Sequence, residues 1–199
     1  MKALSLTIAL CLALSAPLLA AEPTDSEKLV QHLQRTSDLF LKSVEGLSEA
    51  QWNFKAADDK WSVAECAEHI AAAESFIRGM IEKSLTKPAT KSVLKKGVKK
   101  DDQIVTMVVD RSTKFKAPEP LAPTNRFGSP AAAVEEFRNQ RAETLKLAQG
   151  GTDLRKYAAE NPAVGMLDAY GWMLFLSSHT ERHTLQIEEI KSMDAYPVH

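Results

Sequence analysis

Residues 61–85 have the sequence WSVAECAEHIAAAESFIRGMIEKSL, and this stretch is the clearest indication of a helical fold. Ser62 and Glu65 have the spacing of a capping box, the side-chain arrangement that starts many α-helices. After this start signal, apolar residues recur every three or four positions, which is the period of one helix face. These residues are Val63, Cys66, Ile70, Ala73, Ile77 and Ile81. The stretch therefore predicts a long amphipathic helix with one buried face.

The segment before this helix has the same periodicity. It predicts a first helix over 25–45, with a second capping-box pair at Thr24 and Glu27. Gly46 follows the last apolar residue and marks the end of this helix. Residues 61–85 are therefore the second predicted helix.

Two further predicted helices lie in the C-terminal half. One has Ser129 as its cap and Pro130 in its first turn, and it runs to about Ala148 before a pair of glycines. The other covers roughly 166–191 and is the longest. Four amphipathic helices in a glycine-poor chain predict an all-α protein with a four-helix-bundle fold.

The connection between the second and third predicted helices, residues 85–129, breaks the pattern. It contains four prolines and a run of lysines, and only DDQIVTMVVDRS, residues 101–112, predicts a short helix. A crossover of this length is unusual in a compact domain and is often functional. Its lysines could attract an anionic ligand, but a solvated loop is the simpler interpretation.

Two histidines lie four residues apart in the fourth predicted helix. Positions four apart share a helix face, so His179 and His183 can offer two imidazole nitrogens to one metal ion. A tetrahedral ion needs at least one more protein ligand, and His69 of the second helix is the leading candidate. The alternative is that all three are packed, hydrogen-bonded core residues, because periodicity alone does not show that they converge.

Other groups near the histidines carry weaker signals. The thiolate of Cys66 could be a ligand or a nucleophile, but burial as a small apolar residue is the simpler interpretation. We expect Glu65 to cap its helix and Glu68 and Glu181 to be solvated. The alternative is that one of them accepts an imidazole N–H or acts as a general base. The sequence assigns no catalytic residue.

The N-terminus has the layout of a secretory signal peptide. Lys2 precedes an apolar stretch over 3–16, then Pro17 and the small residues Ala20 and Ala21. The stretch is too short for a membrane span. We expect cleavage after Ala20 or Ala21.

The predicted organisation is a signal peptide over 1–21 and one domain over 22–199. About 178 residues remain after cleavage, which suits one domain with a hydrophobic core. We expect the mature protein to be exported, periplasmic if the source is Gram-negative, and without a membrane span. The 25 basic and 26 acidic side chains give no basic excess, so nucleic-acid binding is not predicted. One cysteine remains, which excludes an internal disulfide.

Two long stretches resemble the DinB-like family, also called the DinB/YfiT superfamily of metal-dependent enzymes. The first, residues 47–74, is LSEAQWNFKAADDKWSVAECAEHIAAAE, in which a Trp-Ser helix start precedes a histidine. The second, residues 161–191, is NPAVGMLDAYGWMLFLSSHTERHTLQIEEIK and contains the histidine pair. The intervening residues 111–141 are similar to family members as well. The resemblance covers about 27–191.

The resemblance implies a four-helix bundle with one divalent metal ion bound by three histidines, which map onto His69, His179 and His183. Zinc or nickel suits three imidazoles best, and iron or manganese stays open. The resemblance further implies a metal-dependent hydrolase or thiol transferase that acts on a small molecule, and homodimers formed through exposed helix faces. The alternative function is a non-enzymatic, metal-stabilised binding or stress-related module.

Overall fold

The structure is a computed structural model that describes residues 22–96 and 98–198. The predicted signal peptide lies outside the described residues. Within the described ranges the chain forms seven α-helices, two short 3-10 helices and one two-stranded sheet. The α-helices are α1 Asp25–Ser43, α2 Glu49–Asn53, α3 Val63–Ser84, α4 Lys91–Lys96, α5 Asp101–Val109, α6 Pro130–Gln149 and α7 Ala169–Lys191. The strands are β1 Ala158–Asn161 and β2 Gly165–Asp168, and the 3-10 helices are Glu119–Leu121 and Leu154–Lys156.

The four predicted helices correspond to α1, α3, α6 and α7, and they pack as one bundle. α1 and α3 each pack against both α6 and α7, so α1 lies diagonally opposite α3. This arrangement confirms the predicted four-helix bundle. The all-α prediction did not include the small sheet that the described residues form.

The helix starts predicted from the sequence have hydrogen-bonded caps in the structure. Thr24 and Glu27 make both bonds of a capping box at α1, and Ser62 and Glu65 do the same at α3. The Ser129 side chain accepts the backbone N–H of Ala132 at the start of α6. These caps satisfy backbone donors that the first turn of a helix leaves without partners.

The long crossover between α3 and α6 is more ordered than the sequence indicates. The short helix predicted in residues 101–112 is confirmed as α5, which packs against α7 and buries Ile104 and Val108. α4 and the 3-10 helix Glu119–Leu121 were not predicted. The crossover therefore adds a fifth packed helix beside the bundle.

The predicted start of the fourth helix near residue 166 is wrong by three residues. Residues 165–168 form strand β2, which pairs antiparallel with β1 across a tight turn over 162–164. Gly165, the first residue of the strand, has a φ of 90°. Asp168 ends the strand and caps α7, because its side chain accepts the backbone N–H of Gly171. A side chain at Gly171 would lie 2.8 Å from Ile104 Cδ1, so glycine lets α5 approach this end of α7.

The core follows the predicted apolar stripes. All six residues of the α3 stripe are buried, and so are Leu29, Leu33 and Phe40 of α1. Phe40 meets Phe137 of α6 edge to face, with ring centroids 4.8 Å apart. In the described ranges, no helix combines the length and the apolar character that crossing a membrane requires.

One ion pair lies at the centre of the bundle. Arg141 of α6 and Glu74 of α3 form two parallel hydrogen bonds of 2.8 Å, and their side chains are 2% and 1% exposed. The remaining guanidinium hydrogens bind the Leu33 carbonyl and the Thr36 hydroxyl of α1 and the Thr180 hydroxyl of α7. All five N–H groups of this arginine therefore have an acceptor, and the pair connects all four helices.

We expect Arg141→Met to lower the free energy of unfolding by about 3–5 kcal/mol, because it leaves the Glu74 carboxylate buried without its counter-ion. Urea denaturation followed by circular dichroism measures this change. The double variant Arg141→Met/Glu74→Leu should recover most of the loss. A double variant as unstable as the single one would contradict this explanation.

A matched control is Lys156→Met, which breaks an ion pair with Asp153 whose side chains are 68% and 52% exposed. Exposed pairs contribute little because water and salt screen them. The control should therefore change stability far less than Arg141→Met does.

Candidate metal centre

Three histidines from two helices converge between α3 and α7. His69 comes from α3, and His179 and His183 come from successive turns of α7. One nitrogen from each ring lies within 4.8 Å of the other two. His69 Nε2 and His179 Nε2 are 3.3 Å apart. The structure therefore brings together the three residues that the sequence singled out.

Two of the three rings are fixed by hydrogen bonds on the side away from the cluster. His69 Nδ1 lies 2.9 Å from the carbonyl oxygen of Leu121. A carbonyl only accepts hydrogen bonds, so this nitrogen carries the hydrogen and His69 Nε2 presents a lone pair to the cluster.

The second fixed ring is that of His183. Its Nδ1 lies 3.0 Å from Gln186 Oε1, and Arg111 Nη1 donates to the same oxygen at 3.2 Å. Because the guanidinium can only donate, that atom of Gln186 is the amide oxygen. His183 Nδ1 is therefore a donor, and its Nε2 is also left with a lone pair.

The surroundings favour the neutral form of all three imidazoles. Burial lowers the pKa of His69. Burial, followed by the charges of His69 and Arg182, holds the pKa of His179 well below its ordinary value. Burial, followed by the charges of His179 and His69, does the same for the pKa of His183. Neutral imidazole is the form that binds metal ions.

The aromatic side chains around the cluster limit its access to solvent. The Trp61 ring lies 4.8 Å from the His69 ring and 6.0 Å from the His183 ring, centroid to centroid. The Phe175 ring stacks beside His179 at 6.2 Å. His69 and His183 are buried, whereas His179 is partly exposed. The cluster is therefore reached from the His179 side.

The donor set fits a divalent transition metal. Nitrogens bound to one tetrahedral zinc ion at about 2.0–2.1 Å lie roughly 3.3 Å apart, which matches the separation of His69 Nε2 and His179 Nε2. Three imidazoles with no carboxylate among them suit zinc or nickel better than calcium or magnesium, which prefer oxygen ligands.

A sequence model of the DinB superfamily matches residues 32–187. The chain belongs to the DinB superfamily. This match contains all three histidines and most of the bundle, from the third turn of α1 to the last turns of α7. It confirms the family that the two motif stretches indicated.

Two individual proteins are similar to this DinB-superfamily chain. The uncharacterised protein YuaE of Bacillus subtilis (strain 168) is 25% identical over 149 residues, which cover 74% of this chain and 88% of YuaE. The solved structure of YfiT from Bacillus subtilis, described as a probable metal-dependent hydrolase with an unusual four-helix bundle topology, superposes with a TM-score of 0.55. That match covers 89% of this chain and 91% of YfiT at 14% sequence identity, and it shows a shared fold.

The expectation that Glu68 is solvated is wrong. Glu68 is 6% exposed, and its carboxylate accepts the backbone N–H groups of Thr124, Asn125 and Arg126. Burial acts to raise the pKa of Glu68, but these donors outweigh it and hold the pKa below its ordinary value. Helix periodicity could not reveal this role, because the partners are backbone groups of a distant loop.

The other two glutamates also have defined partners. Glu65 caps α3 as predicted. Glu181 is not freely solvated, because Arg35 of α1 donates to both of its carboxylate oxygens at 2.9 and 2.6 Å. This pairing leaves Glu181 engaged away from the histidine cluster.

Sequence reasoning missed the residues that orient the histidines. Gln186 stands three positions after His183, a spacing that allows a contact on one helix face, and this signal could have identified it. The position of Trp61 beside two of the rings was not predicted either. The contact between the Leu121 carbonyl and His69 could not be predicted from the sequence, because every residue carries a backbone carbonyl.

Cys66 is a core residue. It is 0% exposed and packs in the cluster that contains Phe40, Val63 and Phe137. Burial raises the pKa of its thiol to about 12. These observations support the simpler interpretation of Cys66 over a ligand or nucleophile.

We expect Cys66 in the folded protein to resist alkylation by iodoacetamide at neutral pH, because the thiol is buried and protonated. Mass spectrometry of the peptide that contains Cys66 measures the modified fraction over time. Unfolding in urea should expose the thiol and raise the labelling rate strongly. Equal rates with and without urea would contradict the buried position.

Proposed function

We propose that this protein binds one divalent metal ion through Nε2 of His69, His179 and His183, and that it is a metal-dependent hydrolase acting on a small molecule. The observation that carries the proposal is the convergence of three neutral imidazoles, two of which have their other nitrogen held by a protein acceptor. The similarity of the fold to YfiT, described as a probable metal-dependent hydrolase, supports hydrolysis as the reaction class.

The three donors supply no negative charge, so a bound ion would provide Lewis acidity at the cluster. The residues of the chain prepare the site for that chemistry. The Leu121 carbonyl and the Gln186 amide hold the His69 and His183 rings in place. Trp61 and Phe175 place aromatic rings beside His69 and His179.

We assign no general base. The carboxylates of Glu68 and Glu181 are engaged by the loop after Leu121 and by Arg35. A small molecule would approach from the partly exposed His179 side.

Zinc binding tests the metal site directly. The untagged protein should take up one Zn²⁺ per chain, and His179→Ala should lower its Zn²⁺ affinity by at least about tenfold, because two donors hold the ion less tightly than three. Elemental analysis after reconstitution and chelator competition give the stoichiometry and the affinity. Failure of the wild type to bind stoichiometric metal would overturn the proposal.

His32→Ala is the matched control for this experiment. His32 is another partly buried histidine, but its ring bonds to the Ser177 hydroxyl outside the cluster. This variant should keep the wild-type zinc stoichiometry. A loss of metal in both variants would indicate a general effect on the fold instead of a missing ligand.

Activity panels separate the enzyme from the non-enzymatic alternative. Metal-loaded protein should hydrolyse at least one small ester, amide or phosphoester, and His179→Ala should abolish this turnover. Thiol-transfer substrates belong to the same panel. A large fall in melting temperature on chelation, with no turnover on any substrate, would favour the metal-stabilised module.

We also propose that the mature protein is exported after cleavage behind Ala20 or Ala21. The charged start, apolar stretch and small residues of 1–21 support this proposal. N-terminal mass analysis of the protein from its native host, together with cell fractionation, tests it. An intact Met1 in the soluble cell contents would contradict it.

A further inference from the structure

The loop from Glu119 to Phe127 is attached to α3 through two neighbouring residues of that helix. Glu68 accepts hydrogen bonds from one part of the loop, and His69 donates to another part. The loop has little regular structure of its own beyond the single 3-10 turn over Glu119–Leu121. These hydrogen bonds act together with the burial of Leu121 and the packing of Phe127 against the core to fix the position of the loop.

Glu68 binds residues 124–126 of the loop. Three consecutive backbone N–H groups, those of Thr124, Asn125 and Arg126, reach its carboxylate at 2.8, 2.8 and 3.1 Å. For three successive donors to face one acceptor the chain must turn sharply, and Asn125 adopts a φ of 60° there. This left-handed conformation is unfavourable for most residues, and asparagine tolerates it better than they do.

Arg126 connects residues 124–126 to residues 120–122 of the same loop. Its Nε donates to Glu68 at 3.1 Å, while Nη1 and Nη2 donate to the carbonyls of Pro120 and Ala122 at 2.8 and 2.6 Å. These two carbonyls belong to the residues on either side of Leu121. The Leu121 carbonyl between them is the one that accepts the hydrogen from His69 Nδ1.

We propose that Glu68 and Arg126 are positioning residues for His69. They fix the Leu121 carbonyl at His69 Nδ1, which keeps the hydrogen on that nitrogen and leaves Nε2 directed at His179. The importance of this arrangement for metal binding rests on the proposed function, whereas the orientation of the ring does not. Groups that orient metal-bound imidazoles in this way usually change metal affinity 10–100-fold when they are replaced.

The first test is made on the metal-free protein and compares Glu68→Gln with the wild type. The glutamine amide offers one acceptor oxygen in place of two and directs N–H groups at backbone donors, so the loop should lose its position. Long-range ¹H–¹⁵N correlation spectra report which nitrogen of a neutral imidazole carries the hydrogen. The His69 signal, assigned with a His69→Gln variant, should show the Nδ1–H form in the wild type and a mixture in Glu68→Gln.

The second measurement is the Zn²⁺ affinity of the same variants by chelator competition. Glu68→Gln should bind Zn²⁺ about 10–100-fold more weakly than the wild type. Arg126→Lys keeps the charge but cannot reach the Pro120 and Ala122 carbonyls together, so it should also bind more weakly. Because Arg126 is 29% exposed, this variant gives a second test should Glu68→Gln fail to fold.

Glu65→Gln is the matched control, since it makes the same chemical change one turn earlier on α3. A glutamine still completes a capping box, so the control should keep both the wild-type His69 tautomer and the wild-type Zn²⁺ affinity. Glu68→Gln and Arg126→Lys proteins that behave like this control would overturn the positioning proposal. A wild type that takes up no Zn²⁺ would instead refute the proposed function, and the tautomer comparison would still decide whether Glu68 orients His69.

Discussion

The ion pair between Arg141 and Glu74 is the contact on which the arrangement of the bundle depends. A buried charge is costly unless it is paired and its remaining hydrogen-bonding groups are satisfied. Here the acceptors of one guanidinium come from α1, α3 and α7, while the arginine itself belongs to α6. Sliding or rotating any one helix would leave a buried charge or donor without its partner. Apolar packing alone tolerates such shifts much better, because it has little directional preference.

The same ion pair joins α3 and α7 close to the histidine cluster. Thr180, which accepts from Arg141, is the neighbour of His179, and Glu74 lies about one and a half turns after His69 on α3. The contact thus sets how α3 and α7 face each other beside the histidines. Hydrogen bonds to the Leu121 carbonyl and to Gln186 then orient two of the rings within that frame. Helix packing thus places the three histidines, and local hydrogen-bond acceptors orient the rings of His69 and His183.

The four-helix bundle agrees with membership of the DinB superfamily. In addition to the four bundle helices, the chain has a long crossover between α3 and α6. The connection from α3 to α6 supplies α5, which packs on α7, and the loop whose carbonyl binds His69. A long connection in a compact domain has to contribute packing or function to offset the entropy of ordering it. In this protein it contributes packing, since α5 buries Ile104 and Val108, and the loop after residue 118 contacts His69 through the Leu121 carbonyl.

The sequence alone predicts the four long helices, the caps of three of them, the apolar stripe of α3 and the three candidate ligands. These features follow from local spacing, because residues three and four apart share a helix face and caps act within one turn. Tertiary structure alone decided that His69 meets the α7 pair, that Glu68 is buried, and that residues 165–168 form a strand. The first two depend on groups far apart in the chain, including the backbone N–H groups that face Glu68. The strand forms by pairing with residues 158–161 across a short turn. Nearly every residue carries a backbone carbonyl and an N–H group, so a pattern of residue types does not predict where these groups will lie.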